Sequence, residues 1–192
     1  MNESSEGNSR IIFGFWIYLM TDCVLFASLF AVYAVLHNNT YGGPSGSTLF
    51  SLPYVLGETL LLLTSSFTCG LMMLAASLGK VRHVLAGLVT TFLLGAGFLA
   101  MEINEFHHLI SDGNGWRRSG FLSSYFTLVG THGLHIAVGL LWLVLLTVRI
   151  LRRGLNPSSM RKLTLFSLFW HFLDIIWIFI FTIVYLVGVI KV

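Results

Sequence analysis

The chain has 192 residues, 56 % of them hydrophobic and 10 % charged, with a net charge of +3. A soluble domain carries about 25 % charged residues, so there is too little polar surface here to wrap a core of this size in water. The apolar content excludes intrinsic disorder, and two cysteines exclude a disulfide scaffold, which leaves an integral membrane protein.

Five apolar runs follow in chain order: Ile11–Leu36, Pro53–Leu78, Val84–Ile110, Phe121–Leu151 and Leu163–Ile190. Each is longer than the ~20 residues that cross ~30 Å of hydrocarbon, so tilt or overhang is expected. The runs are continuous, whereas the strands of a membrane β-barrel alternate in segments of about ten residues. The sequence therefore predicts an all-α integral membrane protein, a bundle of five transmembrane helices, with residues 1–192 forming a single transmembrane domain.

Met1–Arg10 is expected to be a short polar tail and not a cleavable leader. It carries Glu3 and Glu6 with one basic residue, and the apolar run behind it exceeds the roughly 7–15 residues of a signal core. Between the first two runs, Gly42-Gly43-Pro44 and Gly46 mark a turn-rich connection. Lys80–His83 is a tight turn, so the second and third helices should pack as antiparallel neighbours. Asp112-Gly113 and Asn114-Gly115 mark the next loop, and Asn156-Pro157 marks the last.

The basic residues in these loops set the orientation. Arg10, Lys80, Arg82, Arg149, Arg152, Arg153, Arg161 and Lys162 fall on one side, and Arg117, Arg118 and Lys191 on the other. Eight against three places the N-terminus in the cytoplasm and the C-terminus in the periplasm. No basic, aromatic-interleaved surface exists outside the loops, so nucleic acid is not an expected partner.

Ionisable groups in hydrocarbon are costly and usually face protein or water. Counted at 1.5 Å per residue, Asp22 lies ~17 Å from the cytoplasmic end of its helix, His132 lies ~17 Å from the external end of the fourth, and His171 and Asp174 lie ~12–17 Å into the fifth. With His135 one turn deeper, these five share a layer near the midplane. Glu58, Glu102, Glu105, His107 and His108 form a second group nearer the external surface. His132 with His135, His171 with Asp174, and Glu102 with Glu105 are each three apart and share a helix face. Asp22 and His132, at nearly equal depth, are expected to meet. Such groups can simply fix packing through interhelical hydrogen bonds. They can also build a metal or haem site, a proton path or a contact surface.

A di-iron bundle uses Glu-x-x-His on two helices, but His132-x-x-His135 has no acid in its own turn and the glutamates sit at another depth. His135 and His171 match in depth for a bis-histidine haem. Cys23 and Cys69 lack CxxC spacing and are expected to be small buried hydrophobes. Trp170 and Trp177, seven apart, are expected on a lipid-facing stripe, with Trp16 and Trp116 in the interfacial belts. Gly130, Gly133 and Ala137, and Gly95 with Gly97, are expected at close helix contacts.

Four motifs together resemble subunit III of the haem–copper terminal oxidases. They are Leu19-Met20-Thr21-Asp22, Glu102-Ile103-Asn104-Glu105, Gly130-Thr131-His132-Gly133-Leu134-His135, and Phe169-Trp170-His171-Phe172-Leu173-Asp174-Ile175-Ile176-Trp177. The resemblance runs from Ile12 onward, and the five-helix length with Phe13–Met20 is most similar to the quinol oxidases of the cytochrome bo type. The chain departs from longer members by lacking their first two helices, and by having Asp22 where many carry Glu. The resemblance implies a non-catalytic subunit of a proton-pumping complex that oxidises ubiquinol and reduces oxygen to water in the bacterial inner membrane. It implies no cofactor in this chain, haems and copper in subunit I, bound phospholipid, and partnership with subunit I above all, then subunits II and IV. Support of assembly, stability and proton uptake would be its role. Subunit III of a cytochrome c oxidase, a self-contained haem or di-metal oxidoreductase, and a small proton-coupled carrier using Asp22, Glu58 and Asp174 are the competing readings.

Overall fold

The computed structural model describes residues 3–43, 46–49 and 51–189. Pro44 of the first turn, the helix end expected at Ile190, and Lys191 lie outside these residues. Five helices are long and apolar enough to span a membrane, and among the described residues there are no strands. Helix α1 covers Glu3–Leu36, α2 Gly46–Leu49, α3 Leu52–Ser77, α4 Val81–Ser111, α5 Gly120–Arg153, α6 Pro157–Ile180 and α7 Val187–Val189. A π-helical segment, Phe181–Leu186, joins α6 to α7.

The five expected spans are all present, and their starts move outward for local reasons. The expected polar tail is helical from Glu3, since no proline stands before Arg10 to stop it. The fifth span starts at Pro157 and not at Leu163, because Asn156 caps it. The Asn156 side chain accepts from the Ser159 N–H at 2.8 Å, and Pro157 supplies a fixed φ at the first helical position. Ser119 caps α5 in the same way, accepting from Leu122 N–H at 3.2 Å. The single turn α2 was not expected, because four residues carry no periodicity to read.

Helices α3, α4, α5 and α6 form a ring in which each packs on the next and α6 closes against α3. The expected α3–α4 hairpin is present. It turns at Gly79, whose φ of 68° suits a residue without a side chain. The two helices then run so close that a Cβ on Gly87 would stand 2.7 Å from Met72 Cβ.

Helix α1 stays outside the ring, in the groove between α5 and α6. Leu19, Asp22, Phe26 and Tyr33 are buried. Their spacing of three, four and seven residues is a narrow seam of the coiled-coil kind. Phe13, Met20, Val24 and Val35 leave the remaining faces of α1 open and apolar.

Trp170 ties the ring together. It is fully buried, and its indole N–H donates to Ser65 Oγ on α3 at 2.9 Å. A Cβ on Gly95 of α4 would lie 2.9 Å from the same indole, and one on Gly139 of α5 would lie 2.7 Å from it. Four helices meet at one side chain because two of them carry glycine there. Trp177 is also fully buried, donates to Thr59 Oγ1 at 3.1 Å, and packs edge-on against Phe98 at 4.6 Å. The lipid-facing stripe expected for these two tryptophans is therefore corrected. An indole N–H needs an acceptor, and Ser65 and Thr59 on α3 supply it. Trp16 and Trp116 are half exposed, as belt residues would be. Cys69 is buried as expected, whereas Cys23 is exposed because it lies off the α1 seam.

Candidate functional site

The eight polar residues singled out in the sequence divide into one closed group, two pairs at helix edges and His132 by itself. The closed group lies toward the α4–α5 loop. Glu58 on α3 and Glu102 on α4 are buried within the ring. Glu58 lies within electrostatic reach of Glu105 and Glu102. Glu102 presses on α5 where Gly133 leaves room, and a Cβ there would collide with its carboxyl oxygen. Among the described residues neither oxygen of Glu58 has a hydrogen-bond partner, and neither does Glu102 Oε2.

Glu105 is the connected member. The Tyr185 hydroxyl donates to its Oε2 at 2.9 Å, and the Tyr125 hydroxyl lies 2.9 Å from that of Tyr185. Tyr185 belongs to the π-helical segment. The extra residue per turn in such a segment re-aims side chains, and π-bulges recur where a particular group must be placed. On its other side Glu105 borders a cavity of about 220 Å³, lined by Leu49, Ser51, Tyr54, Asn104, His108 and Leu109. His107 and His108 stay at the surface, and His108 Nδ1 pairs with Asp112 at 2.9 Å.

The expected meeting of Asp22 and His132 does not occur. His135 is the partner, with Nε2 3.8 Å from Asp22 Oδ2 and Nδ1 2.7 Å from the Thr131 carbonyl. The reason is the position of α1. It touches α5 from outside the ring, so Asp22 meets the polar residue on the outer edge of α5, while His132 meets α1 only through the Phe26 ring. His132 points inward and is fully buried. It stacks on Trp177 at 5.2 Å and meets Phe98 at 5.9 Å. Neither of its nitrogens has a hydrogen-bond partner among the described residues.

The second edge group joins α6 to α3. His171 Nδ1 and Ser66 Oγ are 2.6 Å apart, and Asp174 Oδ2 is 3.9 Å from the same nitrogen. His135 thus faces the α1–α5 seam while His171 faces α3, so the two do not confront each other as haem ligands would. Among the described residues no three His, Cys, Asp or Glu side chains are grouped so as to hold a metal ion. The polar groups are isolated by packing, and what they can do is tie helices and occupy edges.

The sequence reading missed Tyr125, Tyr185, Thr59, Ser65 and Ser66. The signal for the last three was present: buried tryptophans and histidines on α6 require acceptors, and these hydroxyls lie on one helix at membrane depth. The signal for Tyr185 was absent, since a π-helical turn leaves no periodicity in a uniformly apolar run.

The family model described as cytochrome c oxidase subunit III matches residues 4–189. A Cytochrome bo(3) ubiquinol oxidase subunit 3 from Pseudomonas aeruginosa is 60 % identical over 97 % of this chain and 90 % of its own length. A Quinol oxidase subunit 3 from Bacillus subtilis is 45 % identical over 98 % of this chain and 92 % of its own. A Cytochrome c oxidase subunit 3 from Bacillus sp. (strain PS3) is also 45 % identical, over 98 % of this chain and 91 % of its own.

Proposed function

Since the chain belongs to the cytochrome c oxidase subunit III family, we propose that it is the non-catalytic third subunit of a ubiquinol-oxidising, oxygen-reducing, proton-pumping complex of the bacterial inner membrane. Subunit I is its main partner, with subunits II and IV completing the complex, and phospholipid fills the gaps around α1. The haems and copper belong to subunit I and supply all electron transfer. What this chain's own residues do is hold a rigid ring, keep α1 against it through the Asp22–His135 contact, and support assembly, lasting turnover and proton uptake by subunit I.

The observation that carries this reading is the separation of the histidines from one another. His132 is packed among Trp177, Phe98 and Phe26 rings, and the two edge histidines look into different gaps, so the donor set fits neither haem nor metal. The greater identity to the relative named for ubiquinol, 60 % against 45 % for the one named for cytochrome c, favours quinol as the donor. The cytochrome c reading is favoured by the relative from Bacillus sp. (strain PS3) and by the description of the matching family. Residues 1–192 act as one transmembrane domain. The N-terminus lies in the cytoplasm and the C-terminus in the periplasm, as the basic loops favour.

Purification under mild detergent tests the reading. The chain should bring with it larger subunits that carry haem and copper, and when stripped from them it should show no haem bands and no stoichiometric metal. Haem or metal retained by the isolated chain would overturn it. A reporter active only in the periplasm should be active when fused after Val192, and silence there would overturn the orientation.

A further inference from the structure

His171 occupies a position that the rest of the fold does not explain. It stands 14 residues from the start of α6 and 15 from Leu186, which at 1.5 Å per residue is ~21 Å from either end. That is the middle of a ~30 Å hydrocarbon layer. Yet 43 % of its side chain is exposed. Its Nδ1 is held by Ser66, so the ring is fixed and cannot swing toward a headgroup. No partner is present for its Nε2 among the described residues. Hydrocarbon offers no hydrogen bond to that nitrogen, and an ionisable group at this depth faces protein or water as a rule.

The surroundings fit a helix better than water. On α6 Ile175 and Ile178 continue the His171 face at four and seven residues, and both are exposed. On α3 Leu63, Gly70 and Leu74 continue the Ser66 face. Leu63 and Leu74 are exposed, and a Cβ on Gly70 would meet nothing within 4 Å. An apolar stripe with one glycine and one fixed polar nitrogen is the pattern of a membrane helix contact. The outer face of α4 and α5 differs. Val89, Leu93, Leu141, Val144 and Leu145 are exposed there, which lipid covers without cost.

We propose that the α3–α6 face centred on His171 seats a transmembrane helix of the larger, haem-bearing subunit, which presents a hydroxyl, amide or carboxylate to His171 Nε2 at mid-membrane depth. This rests on the reading of the chain as an oxidase subunit and names the face by which it joins. The acceptor fixes the rotation and height of the incoming helix, and the aliphatic stripe supplies the contact area.

A photo-crosslinking residue placed singly at Leu63, Ile175, Val89 or Leu141 of the chain in the intact complex tests it. Leu63 and Ile175 should crosslink to the larger subunit, and Val89 and Leu141 to lipid. Crosslinks to that subunit from Val89 or Leu141 alone would overturn the face while leaving the subunit reading intact. Crosslinks from Ile175 to a second copy of this chain, or to lipid alone, would overturn the occupant. Absence of a crosslink to any oxidase subunit from all four, together with absence of co-purification, would overturn both. As a second readout, His171→Leu should lower retention of the larger subunit in mild detergent about three- to fivefold. His171→Gln, which can still hydrogen-bond, should retain it near the unaltered level. Equal retention by the two variants would remove the polar contact from the proposal.

Discussion

The ring of α3 to α6 and the outlying α1 are built from similar apolar sequence and held in opposite ways. Inside the ring, helices approach until glycine is required, and Trp170 fills the space between Gly95 and Gly139. Helix α1 meets the ring along one seam, with Gly14 standing in open space. Its polar contacts are long ones, Asp22 with His135 at 3.8 Å and the Tyr33 hydroxyl with the Val184 carbonyl at 3.5 Å, beyond the usual range of a hydrogen bond. Hydrophobicity alone therefore does not order helices in a membrane, because lipid is as apolar as a neighbouring helix. Close approach and buried polar partners do.

That contrast can be broken by substitution. Gly87→Ala and Gly139→Ala should cost the most, about 1–3 kcal/mol each, because the new methyl meets the Met72 backbone region or a locked indole. Reversible unfolding of the purified chain in mixed micelles would measure this, and a cost near zero at both would mean the ring is loose. Trp177→Phe should cost about 1 kcal/mol for the lost hydrogen bond to Thr59 plus a small cavity, read in the same assay. Asp22→Leu should cost about 0.5–1.5 kcal/mol, since His135 keeps its bond to the Thr131 carbonyl and loses only its weaker partner. Asp22→Asn should lie closer to the unaltered chain, and equal values for Asn and Leu would show that the contact contributes nothing. Gly14→Ala on α1 should stay within about 0.5 kcal/mol. A larger loss there would mean that α1 packs more closely than its single seam allows.

The five helices could be read from the sequence because run length and hydrophobicity decide membrane spans with little help from tertiary structure. The start of α6 could have been read too, since Asn156-Pro157 is a cap followed by a first-turn proline, but a polar stretch before Leu163 hid it from a hydropathy argument. The choice between His132 and His135 as the partner of Asp22 could not be read. Depth along a helix follows from counting, whereas rotation follows from which neighbours exist, and α1 sits outside the ring and not within it. The same limit sent Trp170 and Trp177 to the lipid face, when their seven-residue spacing fits either side of a helix equally. Counting along the helices is enough to put Glu58, Glu102 and Glu105 near one end of the bundle. Their link to Tyr125 and Tyr185 depends on a π-helical turn that has no sequence period.

The most direct test compares the intact oxidase with one purified from cells lacking this chain. Optical spectra would be recorded per copy of the largest subunit, and oxygen consumption followed through repeated turnover. A supporting subunit without a redox centre leaves the haem bands unchanged while activity decays faster. Loss of one haem species from an otherwise intact complex would contradict the account.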